Sequence, residues 1–96
     1  MSRRRYLVTY DISDDKRRTT VFKTLHGYGD HVQYSVFMCE LNRREHIDLM
    51  SRLSRAIHNR EDQVLFVDLG LAETDSGKIV GSLGKAYEAP TRTVVI

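Results

Sequence analysis

The sequence predicts one α+β domain in which strands and helices follow the order β-α-β-β-α-β, with a further strand or two toward the C terminus. Three observations carry that prediction. β-Branched and aromatic residues gather in the stretches 5–11, 31–41 and 63–69. Between them lie two stretches whose apolar residues recur at three and four, the helical spacing. The chain has 96 residues, enough for one domain with a modest core and too few for two.

Each element has a local reason. Residues 5–11 make the first strand, which ends in the acid Asp11. Ser13 or Asp14 caps the helix that follows, and Val21, Phe22, Leu25 and Tyr28 supply its apolar positions. Gly27 and Gly29 stop it near residue 28. Residues 31–41 are too β-prone for a helix and too long for one strand. A kink or tight turn near Tyr34 and Ser35 therefore splits them in two. Asn42 caps a second helix over about 43–59, with Ile47, Leu49, Met50, Leu53, Ala56 and Ile57 as its core stripe. Gln63 to Leu69 is a strand again. Glu73, Thr74, Asp75, Ser76 and Gly77 form a turn leading to a short strand near 79–83. Pro90 precedes a last apolar run, Thr93, Val94, Val95 and Ile96. From about residue 84 to 96 the chain reads as a tail, and this run as a strand added to a neighbouring chain.

The order is the ferredoxin-like pattern, with both helices on one sheet face. The strand at 63–69 is apolar on both sides: Val64 and Phe66 point one way, Leu65, Val67 and Leu69 the other. In an antiparallel sheet that implies a second covered face. No helix remains to cover it, so the expected cover is a second copy of the chain, packed sheet to sheet in a two-fold homodimer.

Composition narrows the function. Apolar residues are 41% and charged residues 29%, which is ordinary globular chemistry. The net charge of +2 is small, but its distribution is not even. Arg3, Arg4 and Arg5 open the chain, Lys16, Arg17 and Arg18 follow, and Arg43, Arg44, Arg52, Arg55 and Arg60 come later. Arginine forks suit phosphate. One cysteine, Cys39, excludes an internal disulfide and fits a reducing compartment. No apolar run reaches membrane-spanning length and no signal-peptide pattern opens the chain, so the expected location is the cytoplasm, with no membrane partner.

The stretch Tyr6-Leu7-Val8-Thr9-Tyr10-Asp11-Ile12 carries the most chemistry. An apolar strand ends in an acid, and a strongly basic helix start follows. Cations in a first helical turn oppose the dipole and favour an anion nearby. Asp14 and Asp15 answer part of that charge, and an external phosphate would answer the rest. Two readings stand at this point: a metal-assisted phosphodiester site, or a solvated, capped helix start.

The residues also carry a resemblance. Tyr10-Asp11-Ile12, the basic helix start, Leu25 and Gly29, and then Val32-Gln33-Tyr34-Ser35-Val36-Phe37 resemble the small CRISPR-associated adaptation proteins of the Cas-two family. The resemblance implies a ferredoxin-like homodimer that works in spacer acquisition beside the integrase, Cas-one. It implies a magnesium-dependent endonuclease acting on single-stranded RNA or duplex DNA, or else a non-catalytic DNA bridge within the integration complex. The family's metal-binding aspartate falls on Asp11, its tyrosine on Tyr10, its basic helix residues on Arg17 and Arg18, and its aromatic on Phe37. Asp11, Tyr10 and Arg17 are thus the expected catalytic residues, with Asp11 the ligand of Mg2+. Lys16, Arg17, Arg18 and His31 are the expected nucleic-acid contacts. Two departures stand out: His31 where the family usually has arginine, and Met38 where it often has glutamate. His31 can still contact phosphate when protonated.

Other candidates read as structural. His26, His31, His46 and His58 lack paired ligand spacing, so a zinc site is not expected. Cys39 reads as a buried strand residue. Ser35 reads as a backbone partner at the kink and Phe37 as packing. Asp68 is either a second metal carboxylate or an edge acid. The arginines of the second helix are a solvated face or a track for a DNA backbone. A third class, a regulatory or RNA-binding ferredoxin-like module, lacks the aromatic run that such modules use on RNA.

Overall fold

The computed structural model describes residues 2–73 and 75–89. Its elements are β1 (Arg4–Asp11), α1 (Asp15–His26), β2 (Gly29–Gln33), β3 (Val36–Leu41), α2 (Arg43–Ala56), β4 (Gln63–Leu71) and a single helical turn, α3 (Ser76–Ile79). The strands form one four-stranded sheet in the order β2-β3-β1-β4, with every neighbouring pair antiparallel. This is an α+β architecture with the two long helices on one face.

Local chemistry explains most boundaries. The Asp14 carboxylate caps α1 by accepting from the Arg17 amide at 2.9 Å. Asn42 caps α2 in a capping box: its side chain accepts from the Glu45 amide, and the Glu45 carboxylate accepts from the Asn42 amide, both at 2.9 Å. The turn between β2 and β3 sits at Tyr34 and Ser35, where the sequence requires one. Gly29 does more than follow a helix. It opens β2, and a Cβ there would lie 2.5 Å from both the Cys39 sulfur and the Met38 carbonyl oxygen. Only glycine lets the two strands approach.

The core lies between sheet and helices. Tyr6, Val8 and Tyr10 from β1 meet Phe37, Cys39 and Leu41 from β3, under Val21 and Leu25 of α1 and Leu49 and Leu53 of α2. Ile47 and Met50, expected in the α2 stripe, are instead exposed. The stripe that meets the sheet runs through Leu49 and Leu53, and both residues fall to its side. On the opposite face Leu65, Val67 and Leu69 are each more than 40% exposed. That face is apolar and open.

Three boundaries differ from the sequence reading. Helix α2 ends at Ala56, short of 59. The His58 amide turns to the Asp62 carboxylate at 2.8 Å, which closes a tight loop before β4. Strand β4 extends to Leu71 because Arg4 pairs with Leu71 across the sheet. The short strand expected near 79–83 is not formed. The Asp75 carboxylate accepts from the Gly77 amide at 3.0 Å and starts α3 instead, and residues 80–89 follow without regular structure. Gly84, at φ +77°, is incompatible with a continuing strand. The apolar run 93–96 lies outside the described residues.

Candidate nucleic-acid site

Four segments meet at one end of the sheet: the end of β1, the start of α1, the β2–β3 turn, and the start of β4. Sheet register places Asp11 opposite Gln63, so Asp62 stands beside Asp11. Asp11 is exposed, and among the described residues its carboxylate takes no hydrogen bond or ion pair. It is a bare acid at a strand end. One such carboxylate fits Mg2+, which commonly binds one or two carboxylates and completes its shell with water and substrate phosphate. No group of three or more His, Cys, Asp or Glu side chains suited to a metal occurs among the described residues. A tighter, all-protein cage is therefore not what these residues form.

Tyr10 is buried beneath this corner. Its amide donates to the Ser35 carbonyl oxygen at 3.1 Å, which ties β1 to the β2–β3 turn. Burial raises the pKa of the Tyr10 phenol above its ordinary 10.0, while the neighbouring Ser35 hydroxyl and Arg18 work the other way. Tyr10 therefore keeps its proton at neutral pH. It can donate a hydrogen bond but cannot act as a base.

The basic residues divide. Arg17 Nε donates to Asp62 Oδ2 at 2.7 Å and Arg17 Nη2 to Asp62 Oδ1 at 3.2 Å, a bidentate fork. The Asp62 side chain is fully shielded from solvent and also accepts from the His58 amide. These bonds, Arg17 first, hold the Asp62 carboxyl below its ordinary value. In this arrangement the Arg17 fork is engaged by Asp62 and anchors α1 to the loop before β4. Arg18 donates to the carbonyl oxygens of Ile12 at 2.9 Å and Ser13 at 3.3 Å and pairs with Asp15, so it braces the β1–α1 connection. Lys16 is exposed. His31 bonds through Nε2 to the Tyr34 carbonyl oxygen at 2.7 Å, and its ring packs on Phe22 and Phe37. It stabilises the turn.

A cleft of about 350 Å³ opens between these parts, lined by Tyr10, Arg18, Thr19, Phe22, Tyr34 and Ser35. Phe37 lies fully buried beneath, against Phe22 and Tyr10, which makes it core rather than a platform for bases. Cys39 is buried. Asp68 accepts from Arg4 Nε at 3.0 and 3.1 Å and from the Gly70 amide at 2.8 Å, which makes it an edge acid.

Sequence reasoning missed two residues. Asp62 pairs with a residue 45 positions away, and no local spacing announces that. Tyr34 reads in the sequence as part of a kink and of the family-like run 32–37, with no role of its own. Its φ of +39° and 89% exposure are visible only in the folded chain.

Known proteins share this fold and much of this sequence. The family described as CRISPR associated protein Cas2 matches residues 4–76. A Rhodospirillum rubrum protein named CRISPR-associated endoribonuclease Cas2 1 is 48% identical over 91 residues, covering 95% of this chain and 88% of its own. A Geobacter sulfurreducens protein named CRISPR-associated endoribonuclease Cas2 is 41% identical over 91 residues, 95% of each chain. Among solved structures, Streptococcus pyogenes Cas2 superposes with a TM-score of 0.73 at 34% identity, covering 83% of this chain and 99% of that one. A family match that begins at β1 and ends in α3, and relatives that cover nearly the whole chain, leave one conclusion: the chain belongs to the CRISPR associated protein Cas2 family.

Proposed function

We propose that the protein is a metal-dependent endonuclease of CRISPR spacer acquisition, cleaving phosphodiester bonds in single-stranded RNA or duplex DNA. The observation that carries this is Asp11: an exposed carboxylate with no hydrogen bond or ion pair among the described residues, at a strand end followed by a cationic helix start. Such an acid is available to a cation. The naming of the relatives as endoribonucleases supports the same reading. Asp11 would hold Mg2+, which when bound polarises a phosphoryl oxygen and lowers the pKa of water. The chain's own residues do the rest. Lys16 draws in the phosphate backbone, Arg18 fixes the loop that carries Asp11, and the protonated Tyr10 stiffens the corner through the turn at Ser35.

The fold reads as ferredoxin-like, working as a two-fold homodimer in the cytoplasm beside the integrase subunit. The open face of Leu65, Val67 and Leu69 supports the dimer, because an exposed apolar patch of this kind marks an interface. A charge in its middle, Val67→Glu, should convert a dimer into a folded monomer by light scattering. A monomeric wild type at micromolar concentration contradicts the dimer.

A second reading has its own observation. Arg17 is held by Asp62 and not free for phosphate. That favours a non-catalytic DNA bridge, bound through exposed cations with a steep salt dependence and little sequence preference. Incubating wild type and Asp11→Ala with defined RNA and DNA, in Mg2+ or EDTA, separates the two. Cleavage by wild type in Mg2+ alone supports the nuclease; salt-dependent binding without cleavage supports the bridge.

A further inference from the structure

We propose that Tyr34 is a stacking platform for an unpaired nucleobase, so that the corner site takes single-stranded nucleic acid in preference to duplex. The inference rests on the nucleic-acid reading above and narrows its substrate.

Tyr34 stands outside the core. Its side chain is 89% exposed. Among the described residues its ring meets no other ring, and its hydroxyl takes no hydrogen bond. Its backbone sits at φ +39°, the left-handed region that glycine and asparagine occupy cheaply and a bulky aromatic does not. Two-residue turns between antiparallel strands favour those small residues. Here a large apolar ring is held in a strained turn and left in water, a combination that clusters at binding sites.

The surroundings say what would cover the ring. Tyr34 borders the cleft with Tyr10, Arg18, Thr19, Phe22 and Ser35. The cleft has an apolar wall in Phe22 and a cation in Arg18, which is paired with Asp15 at its rim, and Lys16 on the same helix start is exposed. A nucleotide matches both demands: its base has a flat apolar face for the ring, and its phosphate answers the cations. The turn is rigid enough to present the ring, since the Tyr10 amide bonds to the Ser35 carbonyl and His31 bonds to the Tyr34 carbonyl. In a duplex the base faces are already stacked on one another, so only an unpaired base offers one.

The test measures binding in EDTA, where cleavage is silent, with three labelled probes: a single strand of about 12 nucleotides, an abasic single strand of that length and the matching duplex. Tyr34→Gly removes the ring and also relieves the backbone, so it should fold with an unchanged or higher Tm. It should weaken binding of the ordinary single strand about 10-fold, the worth of one stacked base, and leave the abasic strand and the duplex unchanged. Tyr34→Trp, which keeps a π-face, should bind as wild type does. An ordinary strand bound equally by wild type and Tyr34→Gly overturns the inference alone, as does an equal loss on all three probes. A wild type that binds none of the probes overturns the nucleic-acid reading itself.

Discussion

The end of β1 and the start of β4 lie side by side in the sheet, and each offers an aspartate. Their environments are opposite. Asp62 is shut off from solvent, forked by Arg17 and bonded to the His58 amide. Asp11, one register step away, is exposed and its carboxylate is unpartnered among the described residues. The difference teaches how a carboxylate is assigned. Asp62 spends its acceptor capacity on the fold, joining α1 to the loop before β4. Asp11 spends none of its acceptor capacity on the described residues and can offer it to a ligand. By occupying Arg17, Asp62 also keeps the nearest strong cation of α1 engaged elsewhere.

The largest effect on stability should come from Asp62→Asn. The amide cannot balance the Arg17 charge, and removing one partner of a buried pair leaves the other uncompensated. Thermal unfolding should show the Tm falling well below that of Asp11→Asn, which removes no internal contact. Equal Tm values for the two variants would erase the distinction between them.

Acid should act in the same direction. The folded-state pKa of Asp62 lies below the ordinary 3.8. Its contribution is therefore complete above about pH 4 and is lost as pH falls through the lower folded value. Glu45, whose carboxylate is bonded to the Asn42 amide, and Asp68, bonded to the Gly70 amide, are depressed too and add to the same window. Wild-type stability should thus decline below about pH 4, and Asp62→Asn should decline less steeply there. A steeper decline in the variant contradicts the pairing. Cleavage should fall with acid as well, because both a metal-bound carboxylate and an activated water need to lose protons.

A smaller effect is expected from Arg17→Lys. Lysine keeps the charge but not the fork, so one of the two bonds to Asp62 is lost. The Tm should fall between wild type and Asp62→Asn. The smallest effect should come from Asn42→Ala at the start of α2, about 1 kcal/mol from the lost cap, measurable by urea unfolding, with no change in cleavage. That variant calibrates what a purely structural loss looks like.

How much of this was legible in the sequence follows from range. The first strand, the Asp14 and Asn42 caps and the break at Tyr34 and Ser35 are written in neighbouring residues, and sequence reasoning finds them. Asp11 stands out because it ends an apolar strand. The Arg17–Asp62 fork joins residues 45 apart, and the Arg4–Asp68 pair joins residues 64 apart, so neither leaves a local pattern. Ile47 and Met50 obey helical spacing yet miss the sheet, because the sheet's position decides which part of an apolar stripe is covered. The strand expected near 79–83 gave way to α3, because the cap at Asp75 outweighs a short β-prone run with glycines in it.

The central claim is that Asp11, and not its buried neighbour, carries the chemistry. The most direct test is cleavage of one defined substrate by Asp11→Asn in Mg2+, at a temperature where its fold matches wild type. The account predicts a loss of about 10²-fold or more, the scale of removing a metal's contribution, with Tm unchanged. Full cleavage by Asp11→Asn, or by wild type in excess EDTA, would contradict it.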